Sequence, residues 1–320
     1  MDPGTLPAEQ APLASRALLL DVANAGARVV AVGERGHVLL SDDRGQAWVQ
    51  AKSVPTQDLL TGVCFSDETH GIAVGHDEVV IVTADGGETW VRRHYAPEAQ
   101  QPLLDVVCNG RDAIAVGAYG AYFVSNDLGA TWVQRKFEPQ RPLEKPASQK
   151  AVSQKRARDD EEVPQDFHLN RIVAASGARL YIAAEAGHLY RSDDAGASWS
   201  ELPSPYEGSF FGVLPLNGDA LLAYGLRGHL FRSEDGGHTW SELKTGTQAM
   251  LNDAVRLPKD RVVLVGLSGA VLVSEDGGAT YILEQQADRK GISALAAVGP
   301  NELVMVGEAG VKLIDLKAQP

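Results

Sequence analysis

Along this chain, short apolar runs alternate with clusters of turn residues. Leu104-Asp-Val-Val-Cys108, Ala113-Ile-Ala-Val116, Ala121-Tyr-Phe-Val-Ser125 and Thr131-Trp-Val-Gln-Arg135 follow one another within one stretch, and each reads as a strand. Such groups of four recur along the chain. The architecture therefore hinges on the recurrence.

One motif marks the period six times. It reads Ser41-Asp-Asp43-Arg-Gly45-Gln-Ala-Trp48, Thr83-Ala-Asp85-Gly-Gly87-Glu-Thr-Trp90 and Ser125-Asn-Asp127-Leu-Gly129-Ala-Thr-Trp132 in the first half. After a gap come Ser192-Asp-Asp194-Ala-Gly196-Ala-Ser-Trp199, Ser233-Glu-Asp235-Gly-Gly237-His-Thr-Trp240 and Ser274-Glu-Asp276-Gly-Gly278-Ala-Thr-Tyr281. The central aspartates lie 42, 42, 67, 41 and 41 residues apart, a period of about 42 with one insertion. Eight residues before each Ser or Thr, a small residue closes an apolar strand: Gly33, Gly75, Gly117, Ala184, Gly225 and Gly266. Gly307 begins a seventh copy without a box. Seven units of four strands predict an all-β fold, a seven-bladed β-propeller of four-stranded antiparallel blades, spanning 1–320 as one domain with box hairpins in six blades. The seventh unit has room for three strands, so residues 6–14 are expected to supply its fourth and close the ring.

The six boxes resemble the Asp-box of sialidase-like and related propellers. Asp43, Asp85, Asp127, Asp194, Asp235 and Asp276 read as structural: the carboxylate accepts from turn N–H groups, the glycine takes positive φ and the tryptophan covers the hairpin. A catalytic or calcium-binding carboxylate would have no reason to recur in every blade.

Functional positions are sought where the repeats differ. The pairs after each small residue vary and fall at the face opposite the boxes, which makes Glu34, Arg35, His76, Asp77, Tyr119, Glu185, Arg227 and Glu308 candidate partner-binding residues. The starts of the innermost strands add a ring read as Asp21, Thr61, Asp105, Asn170, Phe211, Asn252 and Ser293, with Asp21, Asp105, Asn170 and Asn252 as candidates. The simpler reading of that ring is that each side chain caps its own loop. His37, His188 and His229 recur at one repeat position and read as packing residues rather than metal ligands. Cys64 and Cys108 are repeat-equivalent on adjacent blades; they read as small buried hydrophobes, with a disulfide as the alternative.

The formal net charge of −13 disfavours nucleic acid and anionic membrane surfaces as partners. No apolar run is long enough for a membrane helix. The opening residues lack the basic start and apolar centre of a signal peptide. Between units three and four, residues 136–166 carry proline and segregated charge: Lys145, Lys150, Lys155, Arg156 and Arg158, then Asp159, Asp160, Glu161 and Glu162. This insertion is expected to be a flexible charged loop.

The repeat Ala31-Val-Gly33-Glu-Arg-Gly36, returning as Ala115-Val-Gly117-Ala-Tyr-Gly120 ahead of its box, resembles the photosystem II assembly/stability factor family. The resemblance implies a non-enzymatic, protein-binding assembly or accessory factor, with a membrane protein complex or exported subunit as partner. It also implies a periplasmic or otherwise exported location and no cofactor or metal; the chain is read as a monomer. Photosynthetic members carry an arginine-rich patch, whereas only Arg35, Arg227 and Arg171 qualify here, which points to a non-photosynthetic bacterial relative. The competing class is a sialidase-like glycoside hydrolase or a glycan-binding lectin on the same scaffold. Hydrolysis needs an arginine cluster with a tyrosine nucleophile, or two facing carboxyls. The sequence assembles neither set, and it lacks the Phe/Tyr-Arg-Ile-Pro signature of sialidases near its start.

Overall fold

The computed structural model describes residues 2–140 and 167–316, and among them the chain forms seven antiparallel sheets arranged as a seven-bladed β-propeller. Blade 1 is built from Leu19–Ala25, Arg28–Gly33, Val38–Ser41 and Val49–Gln50, hydrogen-bonded in sequence order from the channel outward. Each later blade repeats this order. The inner strands of blades 2 to 7 are Leu60–Phe65, Leu103–Asn109, Leu169–Ala174, Phe210–Pro215, Leu251–Leu257 and Ile292–Ala297. The second strand of every blade is sandwiched between sheets and buried almost throughout, hence its unbroken apolar composition, as in Val29-Val-Ala-Val32. Seven apolar clusters fill the spaces between neighbouring blades.

Residues 6–14 form no strand, and blade 7 keeps three: Ile292–Ala297, Glu302–Gly307 and Gly310–Asp315. Pro7 and Pro12 remove two of the N–H donors a ladder would need. The segment instead crosses blade 1 toward blade 2, where Ala8 N donates to Val54 O (2.9 Å) and Ala11 N to Gln50 Oε1 (2.9 Å). It still helps to close the ring, but by packing: Ala11 and Ala14 join the apolar cluster shared by Leu19, Val22, Ala294 and Val304 between blades 7 and 1.

The expected loop does not begin at residue 136. Phe137 packs against Tyr122, Tyr190 and Trp199, with ring centroids 5.5, 5.0 and 5.8 Å away, and Gln140 bridges to Ser200 at the edge of blade 4. The remainder of that insertion, 141–166, lies outside the described residues. Cys64 and Cys108 form a disulfide joining the inner strands of blades 2 and 3, with Cα atoms 5.7 Å apart. Both are only partly buried, and their repeat equivalence is what sets them side by side. Among the described residues no helix is long and apolar enough to cross a membrane.

Candidate functional site

Two surfaces were singled out by the repeats: the turns between second and third strands, and the channel mouth. Each of the first six turns is a single tight turn whose middle residue has left-handed φ: Arg35 (55°), Asp77 (55°), Tyr119 (52°), Ala186 (52°), Arg227 (57°) and Ser268 (57°). Arg35, His76, Tyr119 and Arg227 are exposed on this face, each from a different blade.

Three turn glutamates bond to backbone N–H groups. Glu34 accepts from Leu18 N (3.1 Å), Glu185 from His168 N (3.1 Å) and Glu308 from Gly291 N (3.0 Å). Each carboxylate thus tethers the segment entering its own blade's inner strand. His188 and His229 pair with Glu201 (2.5 Å) and Glu242 (2.7 Å) on the outer strands of their own blades. His37 is buried, which lowers its pKa. Among the described residues no group of three His, Cys, Asp or Glu could hold a metal ion.

The channel ring differs from the one read off the sequence. Strand pairing sets Asp21 opposite Val32, Gly62 opposite Val74, Asp105 opposite Val116 and Arg171 opposite Ala183. Gly212, Asp253 and Ala294 face Tyr224, Val265 and Val306 in the same way. Each partner immediately precedes the small residue that closes its strand. Thr61, Asn170, Phe211, Asn252 and Ser293 lie one residue earlier in their strands, so they belong to a second ring.

Neither ring chiefly caps its own loops. Asp21 Oδ2 accepts from Val63 N of blade 2 (2.8 Å), Asp105 Oδ2 from Ile172 N of blade 4 (2.8 Å) and Asp253 Oδ2 from Leu295 N of blade 7 (3.0 Å). Thr61 Oγ1 donates to Leu103 O (2.7 Å), Asn170 Nδ2 to Phe210 O (2.8 Å) and Asn252 Nδ2 to Ile292 O (2.7 Å), again from one blade to the next. A buried backbone group left unpaired costs about 1–3 kcal/mol, so these side chains hold the inner strands in register around the axis.

Inside the ring sits Arg171. Its guanidinium lies 3.1 Å from Asp253 Oδ1, 3.4 Å from Asp105 Oδ2 and 3.9 Å from Asp21 Oδ1, so one cation joins blades 1, 3, 4 and 6. Burial pushes Asp21 up to about 7 against the opposing pull of Arg171, and it raises Asp105 and Asp253 likewise. Burial would lower Arg171, but the three carboxylates more than reverse that and hold it well above its ordinary value. The constellation therefore sets one guanidinium among three buried carboxylates at the channel. Arg171 and Asp253 were absent from the ring read off the sequence, although Leu19-Leu-Asp21, Leu103-Leu-Asp105, Leu169-Asn-Arg171 and Leu251-Asn-Asp253 share one spacing.

On the opposite face the six boxes close the hairpins to the outer strands. In blade 3, Asp127 Oδ1 accepts from Ser125 Oγ (2.8 Å) and Thr131 N (2.9 Å), Oδ2 accepts from Thr131 Oγ1 (2.6 Å), and Ser125 Oγ accepts from Gly129 N (3.0 Å). Those bonds, led by the Thr131 hydroxyl, hold Asp127 down at about 2. With its oxygens engaged locally, the carboxylate is occupied in shaping the turn.

Residues 49–159 match the family model described as photosynthesis system II assembly factor YCF48. The whole fold is similar to a solved structure of YCF48 bound to D1 peptide, at 18% identity over 99% of this chain and 97% of that one, TM-score 0.70. It is also similar to YCF48 from Cyanidioschyzon merolae, at 14% identity over 97% and 99%, TM-score 0.69. A GH74 xyloglucanase from Xanthomonas campestris superposes with TM-score 0.71 at 16% identity, over 96% of this chain but 53% of the enzyme. At these identities the superpositions speak to fold alone. No curated protein matches the sequence.

Proposed function

We propose, taking as premise that this chain is a propeller of the photosystem II assembly factor-like family, that it is a non-enzymatic accessory factor which holds a segment of a membrane-protein subunit during assembly. The observation that carries this reading is the state of the charged groups. At the channel, Arg171 and its three aspartates are engaged with one another, and Glu34, Glu185 and Glu308 are tied to backbone N–H groups. What projects from the turn face is a broad, mixed set, Arg35, His76, Tyr119 and Arg227, spread over four blades. Catalysis of glycoside cleavage needs two carboxyls converging on one bond, whereas recognition of a protein segment needs area and a few anchors. That the similar YCF48 propeller was solved with a D1 peptide bound supports a subunit-binding role for this fold. The disulfide between blades 2 and 3 favours an exported, oxidising compartment, since such bonds persist there.

The test is affinity capture from native membranes, comparing wild type with the Arg35→Glu/Arg227→Glu double variant. Recovery of a membrane-protein subunit by wild type, diminished in the variant, supports the reading. Recovery of none, together with turnover on a panel of glycosides, would replace it with the hydrolase.

A further inference from the structure

We infer that blade 7 is completed by a partner: its open edge, with the cleft beside it at blade 6, is a docking site for an extended segment led by an aromatic side chain and free of carboxylates. The inference goes beyond the reading above, because it concerns the rim of the ring and not the turn face. In six of the seven apolar clusters between blades, the box aromatic of the following blade takes part: Trp48, Trp90, Trp132, Trp199, Trp240 and Tyr281. The cluster between blades 6 and 7 has no aromatic among the described residues; Val273 and Leu316 stand there. A cleft of about 270 Å³ opens beside them, lined also by Ile282 and Glu284. Ile282 is 70% exposed.

Among the described residues, blade 7 also lacks the strand that would carry such an aromatic. In the other blades the outer strand begins directly after the box aromatic, as Val49–Gln50 follows Trp48. The chain then bonds to the third strand: Ala51 N donates to Val38 O (2.8 Å), Arg135 N to Tyr122 O (2.9 Å) and Leu202 N to Leu189 O (2.8 Å). Val311 is the counterpart of Val38, since Val306 faces it as Val32 faces Val38. Its strand, Gly310–Asp315, has a neighbour on one side only, and Val311 O receives no such donor among the described residues. Alternation along the strand turns the N–H and C=O of Leu313 outward as well, and its side chain is 43% exposed. Unpaired backbone groups in a row are a template for an added strand.

The other six blades specify the occupant, and this chain does not supply it. All five tryptophans are box residues, and residues 141–166 and 317–320 contain no Phe, Trp or Tyr. Tyr119, the single aromatic among the exposed large apolar side chains described, sits in a tight turn, so a second copy offers no extended aromatic run. Polarity narrows the partner further. Arg261 is held by Glu275 (2.7 Å) and Asn301 Oδ1 (2.7 Å), and Asp276 is engaged by its own turn. Glu284 Oε2, in the same cleft, is buried and accepts no hydrogen bond among the described residues. With three carboxylates to one guanidinium, the lining disfavours an acidic segment. An indole supplies the donor that Glu284 lacks. Trp240 shows the geometry, donating Nε1–H to Pro203 O (3.0 Å), next to Leu202, the counterpart of Glu284 in blade 4.

The probe is a labelled, amidated peptide with the sequence of residues 129–135, which carries a tryptophan and no carboxylate; its counterpart has serine in place of the tryptophan. In fluorescence anisotropy the first is expected to bind about tenfold more tightly than the second. Ile282→Glu, at the cleft, is expected to weaken it about three- to tenfold. Leu313→Pro, which removes one outward N–H and which an edge strand tolerates, is expected to do the same. Unchanged urea midpoints show that the variants fold; should Leu313→Pro not fold, Ile282→Glu and the paired peptides decide. Val91→Glu is the control that leaves binding unchanged, because Val91 holds the position of Ile282 in blade 2, where Trp132 fills the interface. Equal affinity for the two peptides, or binding indifferent to Ile282→Glu, overturns the assignment. Self-association abolished by Leu313→Pro, without peptide binding, gives the edge to a second copy and overturns it likewise. Membrane capture reads the accessory-factor proposal separately: a wild type that recovers a subunit yet ignores both peptides leaves that proposal standing while this one falls.

Discussion

Arg171 Nη2 and Asp253 Oδ1 meet at 3.1 Å across the propeller axis, although their strands belong to blades 4 and 6. The remaining contacts of Arg171, to Asp105 and Asp21, make it the only cation facing three largely buried carboxylates in that cluster. Removing one partner of a buried ion pair costs about 3–5 kcal/mol, because the charge left behind has lost its compensation. Arg171→Met is expected to destabilise the fold by that order, read as a fall in the urea midpoint. A midpoint within error of wild type would mean that the carboxylates need no partner.

The same cluster sets a pH dependence. Asp21 is raised to about 7, and Asp105 and Asp253 are raised as well, so the folded state holds protons that the unfolded chain has released. Their contribution to stability is fully present below the ordinary carboxyl pKa of about 4 and is lost as pH rises through about 7. The box aspartates run the other way. Asp127 and its equivalents are lowered by hydrogen bonds, so their contribution is present above about 4 and lost in acid. Urea midpoints are therefore expected to decline between pH 5 and pH 8, and Asp21→Asn, which retains an acceptor for Val63 N, is expected to flatten that decline. A slope unaltered by Asp21→Asn would remove this residue as its source.

Much of this was legible in the chain, because a repeated box and an invariant offset leave few architectures open. What was misread turned on single residues. Asp21 lies twelve residues before Gly33 and Asp105 twelve before Gly117, but Arg171 lies thirteen before Ala184 and Asp253 thirteen before Gly266. The first two blades of that set join their inner and second strands by two-residue turns, at Ala25 to Arg28 and Asn109 to Asp112, while the others use longer connections. Counting from one landmark therefore slid some blades by one position, and a slip of one exchanges the faces of a strand. The fate of residues 6–14 was obscured differently. The missing strand of blade 7 was a sound topological demand, yet Pro7 and Pro12 could not meet it.

The disulfide closes a separation of 44 residues between blades 2 and 3. By the loop-entropy relation a bridge of that span stabilises by about 4 kcal/mol, within the usual range of about 2–5. The Cys64→Ser/Cys108→Ser double variant is expected to lose about that much and to show no further change when a reductant is added. Equal midpoints for wild type with and without reductant would show that the bridge contributes nothing.

The small residue that closes every second strand leads to the last prediction. A Cβ built on Gly33, Gly75, Gly117, Gly225, Gly266 or Gly307 would stand 2.1–2.3 Å from a carbonyl oxygen of its own blade, such as Leu18 O for Gly33 and Ser209 O for Gly225. In each case the facing inner strand is bulged there, with the register shifting between residues such as Leu19 and Asp21 or Phe210 and Gly212. The bulge brings the backbone in close, and the same carbonyl accepts the next N–H, Glu34 N to Leu18 O (3.0 Å) and Leu226 N to Ser209 O (3.2 Å). A backbone carbonyl cannot swing aside as the end of a side chain can. Blade 4 resolves the conflict locally: Ala184 sits at φ −138°, ψ 177°, away from the −176°, −136° of Gly225, and Glu185 N still reaches His168 O at 3.1 Å. Gly225→Ala is therefore expected to cost about 1–3 kcal/mol through overpacking. Ala184→Gly should cost only about 0.5–1 kcal/mol, as backbone entropy. Paired thermal melts of the two variants measure the difference. Equal losses would mean that every blade can relax as blade 4 does, and that the small residue at this offset answers to something other than the close carbonyl.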